Sequence, residues 1–516
     1  MTGTSDAEAI RHPRLITFAT SQSAWQRTFD AALAELKANV RRVPDGDEPV
    51  LIEGGPYTGI WLESGPIDAR AYAPIDPERY LAAHRIFFNQ QRDDGQIPCF
   101  ARRGGLGWSQ VQTVTSLAVT ALDCALHYGD DAFLEQAYRC CSRWDDWLIR
   151  YRDRRGLGLC EAFCEYDTGH DKSPRWQGLP KVCQGKDARY CPPNPRLPYL
   201  APDLSASLYG GRVALAKMAR RLGRATEAQQ WEAKAAQTRE AIMAHLFDEA
   251  TLCFYDRDDE GRFVNIVGDV LLRVLAEGVV EPALFEQIFQ RWVGNPEAFW
   301  TACPLPSIAI CDPHFDWQMP DNSWGGPCQS LTALRAPLFM ERYGKFAAMT
   351  EVMIRWARCI AAADGFRHQV HPLTGVFQGP EGYTPTMCVM LDYMLRLQGI
   401  SVYQHNCLSW GCWYEDEQHE RTCAFSCEQG GAKLVGRGAV SELYWRGQRL
   451  AEVHGRARVI TDGHGVIRQL IGIRDAVETV TVTLASGGRY QMALEPDAVA
   501  SFPGDAVRLQ AEQVSP

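Results

Sequence analysis

Between residues 24 and 398 the chain repeats one pattern, a helix-spaced apolar segment followed by a link. In residues 24–42, Trp25, Phe29, Leu33, Leu36 and Val40 keep the 3-to-4 spacing of a buried helix face. The same spacing predicts helices near 77–92, 110–128, 131–151, 225–246, 267–277, 281–293, 328–343, 346–362 and 384–398. Asp203, a candidate cap, opens another that carries Leu204, Leu208, Leu215 and Leu222. Strand signals between these segments are few. Short links alternate with long ones, so consecutive helices are expected to pack as antiparallel hairpins. No repeat with a period of about 34 or 40 residues is visible, which argues against an open solenoid. Roughly a dozen helices in hairpins point to a mainly α fold closed on itself.

From about residue 403 the helical periodicity stops. Residues 438–445 and 480–484 alternate as strands do. The reading is therefore a loose leader at 1–22, a helical domain at 23–402 and a small antiparallel β-domain at 403–516, with nothing catalytic in the last. A length of 516 residues suits one large enzyme domain plus a smaller one. With 46% hydrophobic and 22% charged residues the chain is globular. A net charge of −10 argues against a nucleic-acid partner. No apolar run is long enough for a signal peptide or a membrane span, so a cytoplasmic protein with no membrane partner is expected. Its eighteen cysteines then read as reduced thiols. Cys407, Cys412, Cys423 and Cys427 lack the usual zinc-knuckle spacing, and neither a metal nor a cofactor is assigned. The turn from Tyr255 to Gly261 lacks the full calcium-loop spacing and reads as solvated.

Residues 161–176 carry the densest chemistry. Glu161, Glu165, Asp167 and Asp171 fall among Phe163, Tyr166, Arg175 and Trp176, between two helical segments. A long loop on a helical scaffold is where function tends to sit. Carboxylic acids beside Trp and Arg can be tuned as acids and can grip hydroxylated ligands. Whichever of them serves as an acid has neighbouring carboxylates to raise its pKa and Trp176 to help desolvate it. Asp167 is the expected acceptor for a substrate hydroxyl.

The run Asp167-Thr-Gly-His-Asp171-Lys-Ser-Pro-Arg175-Trp176 resembles the Glu-Ser-Gly-x-Asp-Asn-Ser-Pro-Arg-Trp motif. That motif belongs to the trehalase, processing α-glucosidase I and mannosylglycerate hydrolase group of inverting glycosidases. In the group the second acidic residue is the general acid, and Asp171 matches it. The resemblance extends over roughly residues 25–400. The segment Gly54-Gly-Pro-Tyr57-Thr-Gly-Ile-Trp61-Leu-Glu63 is similar to one that lines the group's sugar pocket, with Glu63 where Asp is usual. Asn322-Ser-Trp324-Gly-Gly326 resembles its sugar-binding Asn-x-Trp-Arg-Gly, with Gly325 in place of Arg. Residues 366–375 resemble Glu-Asn-Tyr-x-Pro-Leu-Thr-Gly, which carries the general base, and there the Glu position falls on His368. The resemblance implies an (α/α)6 barrel and inverting, exo-acting hydrolysis of a small α-linked glycoside or disaccharide.

Glu381, the next carboxylate after that position, is the expected base, with His368 as the alternative. Gln96, Trp108 and Gln110 sit in successive loops and suit sugar hydroxyls and faces. Arg175, Trp176, Trp317, Gln329 and Tyr383 complete the expected substrate set. Each of these also suits loop-to-loop bonding, and the Tyr57–Glu63 segment also suits a buried plug. Two other functions remain open. His170, His368 and His371 would serve a sugar isomerase or epimerase as proton shuttles. The change at residue 368 would also suit a carbohydrate-binding protein without catalysis.

Overall fold

The computed structural model describes residues 15–44, 46–318, 322–404, 407–428, 430–502 and 512–513. Twelve α-helices lie among them: α1 (Ser23–Ala38), α2 (Gly65–Tyr72), α3 (Glu78–Phe88), α4 (Leu117–Tyr128), α5 (Asp131–Arg152), α6 (Pro202–Arg221), α7 (Ala225–Leu246), α8 (Asp269–Glu277), α9 (Pro282–Ile288), α10 (Ser330–Arg342), α11 (Phe346–Ala362) and α12 (Thr384–Gln398). The even-numbered helices touch in sequence: α2 meets α4, then α6, α8, α10 and α12 follow, and α12 returns to α2. Their burial fits an inner position, since α8 is buried along its whole length. By contrast α7 buries one stripe, from Ala228 and Trp231 through Ala235, Thr238 and Ile242 to Leu246, as a helix with a solvent face does.

The links differ by direction. Those leaving an even helix are short, such as 129–130 and 222–224. Those leaving an odd helix are long: 39–64, 89–116, 153–201, 247–268, 294–329 and 363–383. In an antiparallel arrangement this collects every long link at one end of the helices. Small sheets tie these links together, contrary to the sparse strand signal in the sequence. Gly59–Trp61 pairs with Phe100–Arg102, which pairs with Gly105–Leu106. Glu161–Ala162 pairs with Tyr199–Leu200, and Cys328–Gln329 with Arg367–Val370, which pairs with Phe377–Glu381.

Two helices differ from those the periodicity gives. Gly65 and Pro66 do not exclude a helix; they begin α2, with Pro66 in the first turn, where its missing N–H costs nothing. The helix expected from 110 starts at Leu117, because residues 110–116 run past the site as non-helical chain.

Beyond α12 the strands form two antiparallel sheets. One is eight-stranded, and at its edge Leu15–Thr20 pairs with Glu420–Cys427, Phe18 lying opposite Cys423. Residues 15–20, expected to be loose leader, are thus a strand of the C-terminal sheet; residues 1–14 lie outside the described residues. The other sheet has five strands and joins Ile400–Tyr403 to Cys407–Gly411 and Arg458–Asp462. Trp25 of α1 stacks on Trp413, with ring centroids 5.5 Å apart, so sheets and helices share one core. No described helix is long and apolar enough to cross a membrane. The eighteen cysteines stand as thiols, none joined in a disulfide. The tail cysteines are not gathered: among the described residues the one metal-competent grouping is Cys164, Asp167 and Cys183, where Asp167 is already paired with Arg152.

Trp413→Ala removes a side chain that is 3% exposed at this junction. The expected loss is about 3 kcal/mol, read as a lower urea midpoint and a melting temperature several degrees below that of the parent.

Candidate active site

The long links enclose a cavity of about 530 Å³. The α1–α2 link supplies Glu53, Tyr57, Trp61 and Glu63. The α3–α4 link supplies Phe100, Trp108, Gln110 and Gln112; the α5–α6 link supplies Tyr166, Asp171 and Lys186; the α9–α10 link supplies Asn322. Aromatic faces, amides and three carboxylates thus line one opening, the mixture a sugar needs for stacking and hydrogen bonding.

The loop bearing Asp171 is clamped from below. Asp167 is fully buried and forms a forked pair with Arg152, at 2.6 and 3.1 Å. Its oxygens also accept the backbone N–H groups of Val111 (2.9 Å) and Phe163 (2.7 Å). The Thr168 carbonyl accepts from Arg273 at 2.6 Å, and the Thr168 hydroxyl accepts from Trp176 Nε1 at 2.9 Å. Arg175 bonds Asp203 (2.8 and 2.9 Å) and Asp256 (2.7 Å). Gly169 turns the chain at φ +61°, and Lys172 is at φ +58°, its N–H donating to Glu165 at 2.8 Å. The result is an Asp171 held by its own backbone, whose carbonyl accepts the Trp324 N–H at 2.9 Å.

Asp171 Oδ2 accepts from Asn322 Nδ2 at 3.0 Å, and Asn322 reaches the Tyr57 hydroxyl at 3.5 Å. Burial raises the Asp171 pKa most, and the charges of Glu63 and Glu165 raise it further, to about 8. The carboxyl is therefore neutral at pH 7 and can give a proton. Glu63 Oε1 accepts from Gln112 at 2.7 Å. Burial raises its pKa, opposed by Arg273, Gln112 and Arg335. Glu53 Oε2 accepts from the Ser64 hydroxyl at 3.2 Å.

Of the residues expected from sequence, Tyr57, Trp61, Glu63, Trp108, Gln110, Asp171 and Asn322 line the cavity. The others do not, and their contacts say why. Asp167, Arg175 and Trp176 face inward and hold the loop, so the expected hydroxyl acceptor and substrate contacts are framework groups. Gln96 supports Trp108 from behind, through its carbonyl at 3.4 Å and through Arg92, which bonds Gln96 and lies 3.7 Å over the indole. Trp324 packs on His170 at 4.8 Å, and Gln329 donates to the Ser323 carbonyl at 2.6 Å. Trp317 lies beside His371 outside the cavity lining. Tyr383 stacks on His368 at 4.0 Å behind Tyr57.

The expected base is also corrected. Glu381 pairs with Arg367 at 3.6 Å, with 58% of its side chain exposed, and does not line the cavity. Arg367 lies opposite Glu381 at the open end of this hairpin and both are partly exposed, whereas beyond a bulge His368, Gln369 and Val370 are buried. His368 is buried, which lowers its pKa to about 3, and it does not line the cavity either. Asp256, read as part of a solvated turn, is buried against Arg175. Sequence reasoning misses Glu53, which stands one residue before the glycine segment, at the end of the apolar run Val50-Leu-Ile. A lone acid in such a run is the available signal.

A cavity walled by aromatics, amides and carboxylates on a helical scaffold suits a carbohydrate ligand. Residues 57–386 match the family described as mannosylglycerate hydrolase MGH1-like glycoside hydrolase domain, and the chain belongs to that family. Among solved structures, the GH63 mannosylglycerate hydrolase of Thermus thermophilus superposes with a TM-score of 0.59 at 18% identity, covering 71% of this chain and 100% of that one. Neutral trehalase Nth1 of Saccharomyces cerevisiae gives 0.50 at 13% identity, over 67% of this chain and 73% of that one. The GH78 rhamnosidase of Bacillus sp. GL1 gives 0.54 at 11% identity, over 86% of this chain and 40% of that one. At these identities the structural likeness speaks to fold. Among curated protein sequences, none matches the chain.

Gly169→Ala tests the clamp. A Cβ there would overlap Glu63 Oε2, and the positive φ adds strain. Displacing Asp171 by about 1 Å is expected to cost on the order of 10² in turnover. The check is kcat on any glycoside the parent hydrolyses, with folding followed by circular dichroism.

Proposed function

We propose that the protein is an inverting, exo-acting α-glycosidase that cleaves a small glycoside or disaccharide at the mouth of an (α/α)6 barrel. The ring of contacts closed by α12 and α2 supports the barrel. The site reading rests on one observation above the rest: a carboxyl with a pKa near 8 in an aromatic-walled cavity that holds two further buried carboxylates. A volume of about 530 Å³ lies within the usual range for a small ligand and favours removal of a terminal sugar over binding along a chain. The structurally similar Thermus hydrolase has been seen with glucose and with D-glycerate, which supports a glycoside of that size.

In this reading Asp171 is the general acid. Its proton passes to the leaving oxygen as the bond to the anomeric carbon breaks, and Asn322 holds the carboxyl in place. Inversion also needs an ionised base across the ring, some ~6.5–9.5 Å from the acid. Glu53 and Glu63 are the cavity carboxylates available for it. The isomerase reading loses its shuttles, because His170, His368 and His371 do not line the cavity. His170 is locked between Asp269 (3.1 Å) and Arg175 (3.0 Å), and burial beside Arg273 lowers its pKa to about 3.

Asp171→Asn is expected to lower kcat by on the order of 10²–10⁴ on glycosides with poor leaving groups, and by less on activated aryl glycosides. The parent should lose activity as pH rises through about 8, because the acid is competent only while protonated and Asp171 titrates there. A screen of α- and β-linked disaccharides and glycosyl-glycerates, with product anomers followed by NMR, measures both. Full activity of Asp171→Asn on a poor leaving group would sink this reading.

A further inference from the structure

Three carboxylates line the cavity, and different contacts hold them. Glu63 belongs with the acid. Its carboxylate lies against Gly169, two residues before Asp171, and is bonded by Gln112. Glu53 is anchored elsewhere. Its carbonyl accepts the Thr384 N–H at 2.8 Å, and the next residue, Gly54, bridges to both Tyr57 and Tyr383. Its side chain takes the Ser64 hydroxyl at 3.2 Å, and the Tyr383 side chain favours its ionised form. The Tyr383 ring in turn lies 4.0 Å from His368. The backbone at Glu53 is thus tied to Thr384 and, through Gly54, to Tyr383, while Asp171 is tied to Asn322 and Trp324.

We propose that Glu53 is the general base, activating the water that attacks from the side opposite Asp171; this rests on the inverting glycosidase reading. The step balances without any further reactant. The Glu53 carboxylate takes one proton from water as the water oxygen bonds to the anomeric carbon. The bond from that carbon to the leaving oxygen breaks, and the Asp171 proton goes to the oxygen. Glu53 ends protonated and Asp171 ionised, and exchange with solvent restores both. Burial and the Glu63 charge raise the Glu53 pKa, while the hydroxyls of Ser64 and Tyr383 favour its ionised form. A carboxylate held up in this way is a stronger proton acceptor once ionised.

Glycosyl fluorides test the base, because fluoride leaves without help from an acid. The parent is expected to hydrolyse α-D-glucosyl or α-D-mannosyl fluoride to the β-sugar, with the acidic limb of its kcat/KM profile above the ordinary Glu range near ~4.3. Glu53→Gln should lower kcat at least ~10²-fold on the fluoride. Azide should restore turnover and give the β-glycosyl azide, since azide attacks carbon without losing a proton. If Glu53→Gln does not fold, Glu53→Asp should lower kcat at least tenfold with KM little changed. Inverting hydrolysis of the fluoride at the parent's rate by Glu53→Gln or Glu53→Asp overturns the base, as does azide rescue of Glu63→Gln in its place. A parent that hydrolyses neither fluoride nor any glycoside in the disaccharide screen fails at the glycosidase reading instead.

Discussion

The site depends on a dry cluster of opposite charges beneath it. Arg175, Arg273 and Arg335 interlock with Asp203, Asp256 and Asp269, all of them buried. Asp269 alone accepts from Arg273 (2.6 Å), Arg335 (2.9 Å) and Thr332 (2.6 Å). Charges of this kind are expensive to desolvate, and the gain of a pair over a hydrophobic filling is small or negative. Removing one partner is far costlier than replacing the set, because the remainder stays buried and unpaired. What the cluster supplies here is direction. Arg273 spans α8 to the Thr168 carbonyl, and Arg175 spans the acid loop to α6 through Asp203. The acid loop is thereby fixed to helices on the inner ring, and Asp171 inherits their rigidity.

Rigidity then makes the electrostatics possible. Asp171, Glu63 and Glu53 share one cavity, and Glu63 raises the pKa of both of the others. In a flexible site such carboxylates would turn apart into water. The Asp171 loop is tied at Asp167, Thr168, Asp171 and Arg175, so repulsion appears as retained protons instead of movement. The cost falls on stability. A carboxyl whose folded pKa exceeds its unfolded value contributes most below the unfolded pKa, and that contribution is lost as pH rises through the folded value. For Asp171 the loss runs from the ordinary Asp range to about 8, the interval in which its proton is useful. The same raised pKa that supplies an acid therefore weakens the fold, the usual relation between stability and an active site.

Much of this is legible in the sequence, and the failures have physical causes. Helix periodicity locates α5, α7, α11 and α12 closely, because long amphipathic or apolar segments carry their own evidence. It misses α2, whose eight residues are buried too fully to show a stripe and whose Gly-Pro start looks like a breaker. Composition finds the acidic loop. Composition does not say which way a side chain points: Asp171 turns to the cavity, while Asp167 and Arg175 turn inward to arginine and aspartate partners. Those partners, Arg152, Asp203 and Asp256, come from distant segments that nothing local links to the loop. Closeness in sequence to residue 368 points to Glu381, but Glu381 lies at the exposed end of its strand, opposite Arg367, while His368 is buried beyond a bulge.

The change at residue 368 then has a physical reading. A carboxylate at that position would add a fourth acidic group to Glu53, Glu63 and Asp171, whose pKa values burial already raises. Histidine adds none, because its burial keeps the ring neutral. Its face packs on Tyr383, whose side chain favours the ionised form of Glu53. The cavity draws its carboxylates from the α1–α2 and α5–α6 links and none from the strand that carries His368. In the reading proposed above, the base stands on a different segment from the one that the resembled motif would give, and inversion still has its two carboxylates.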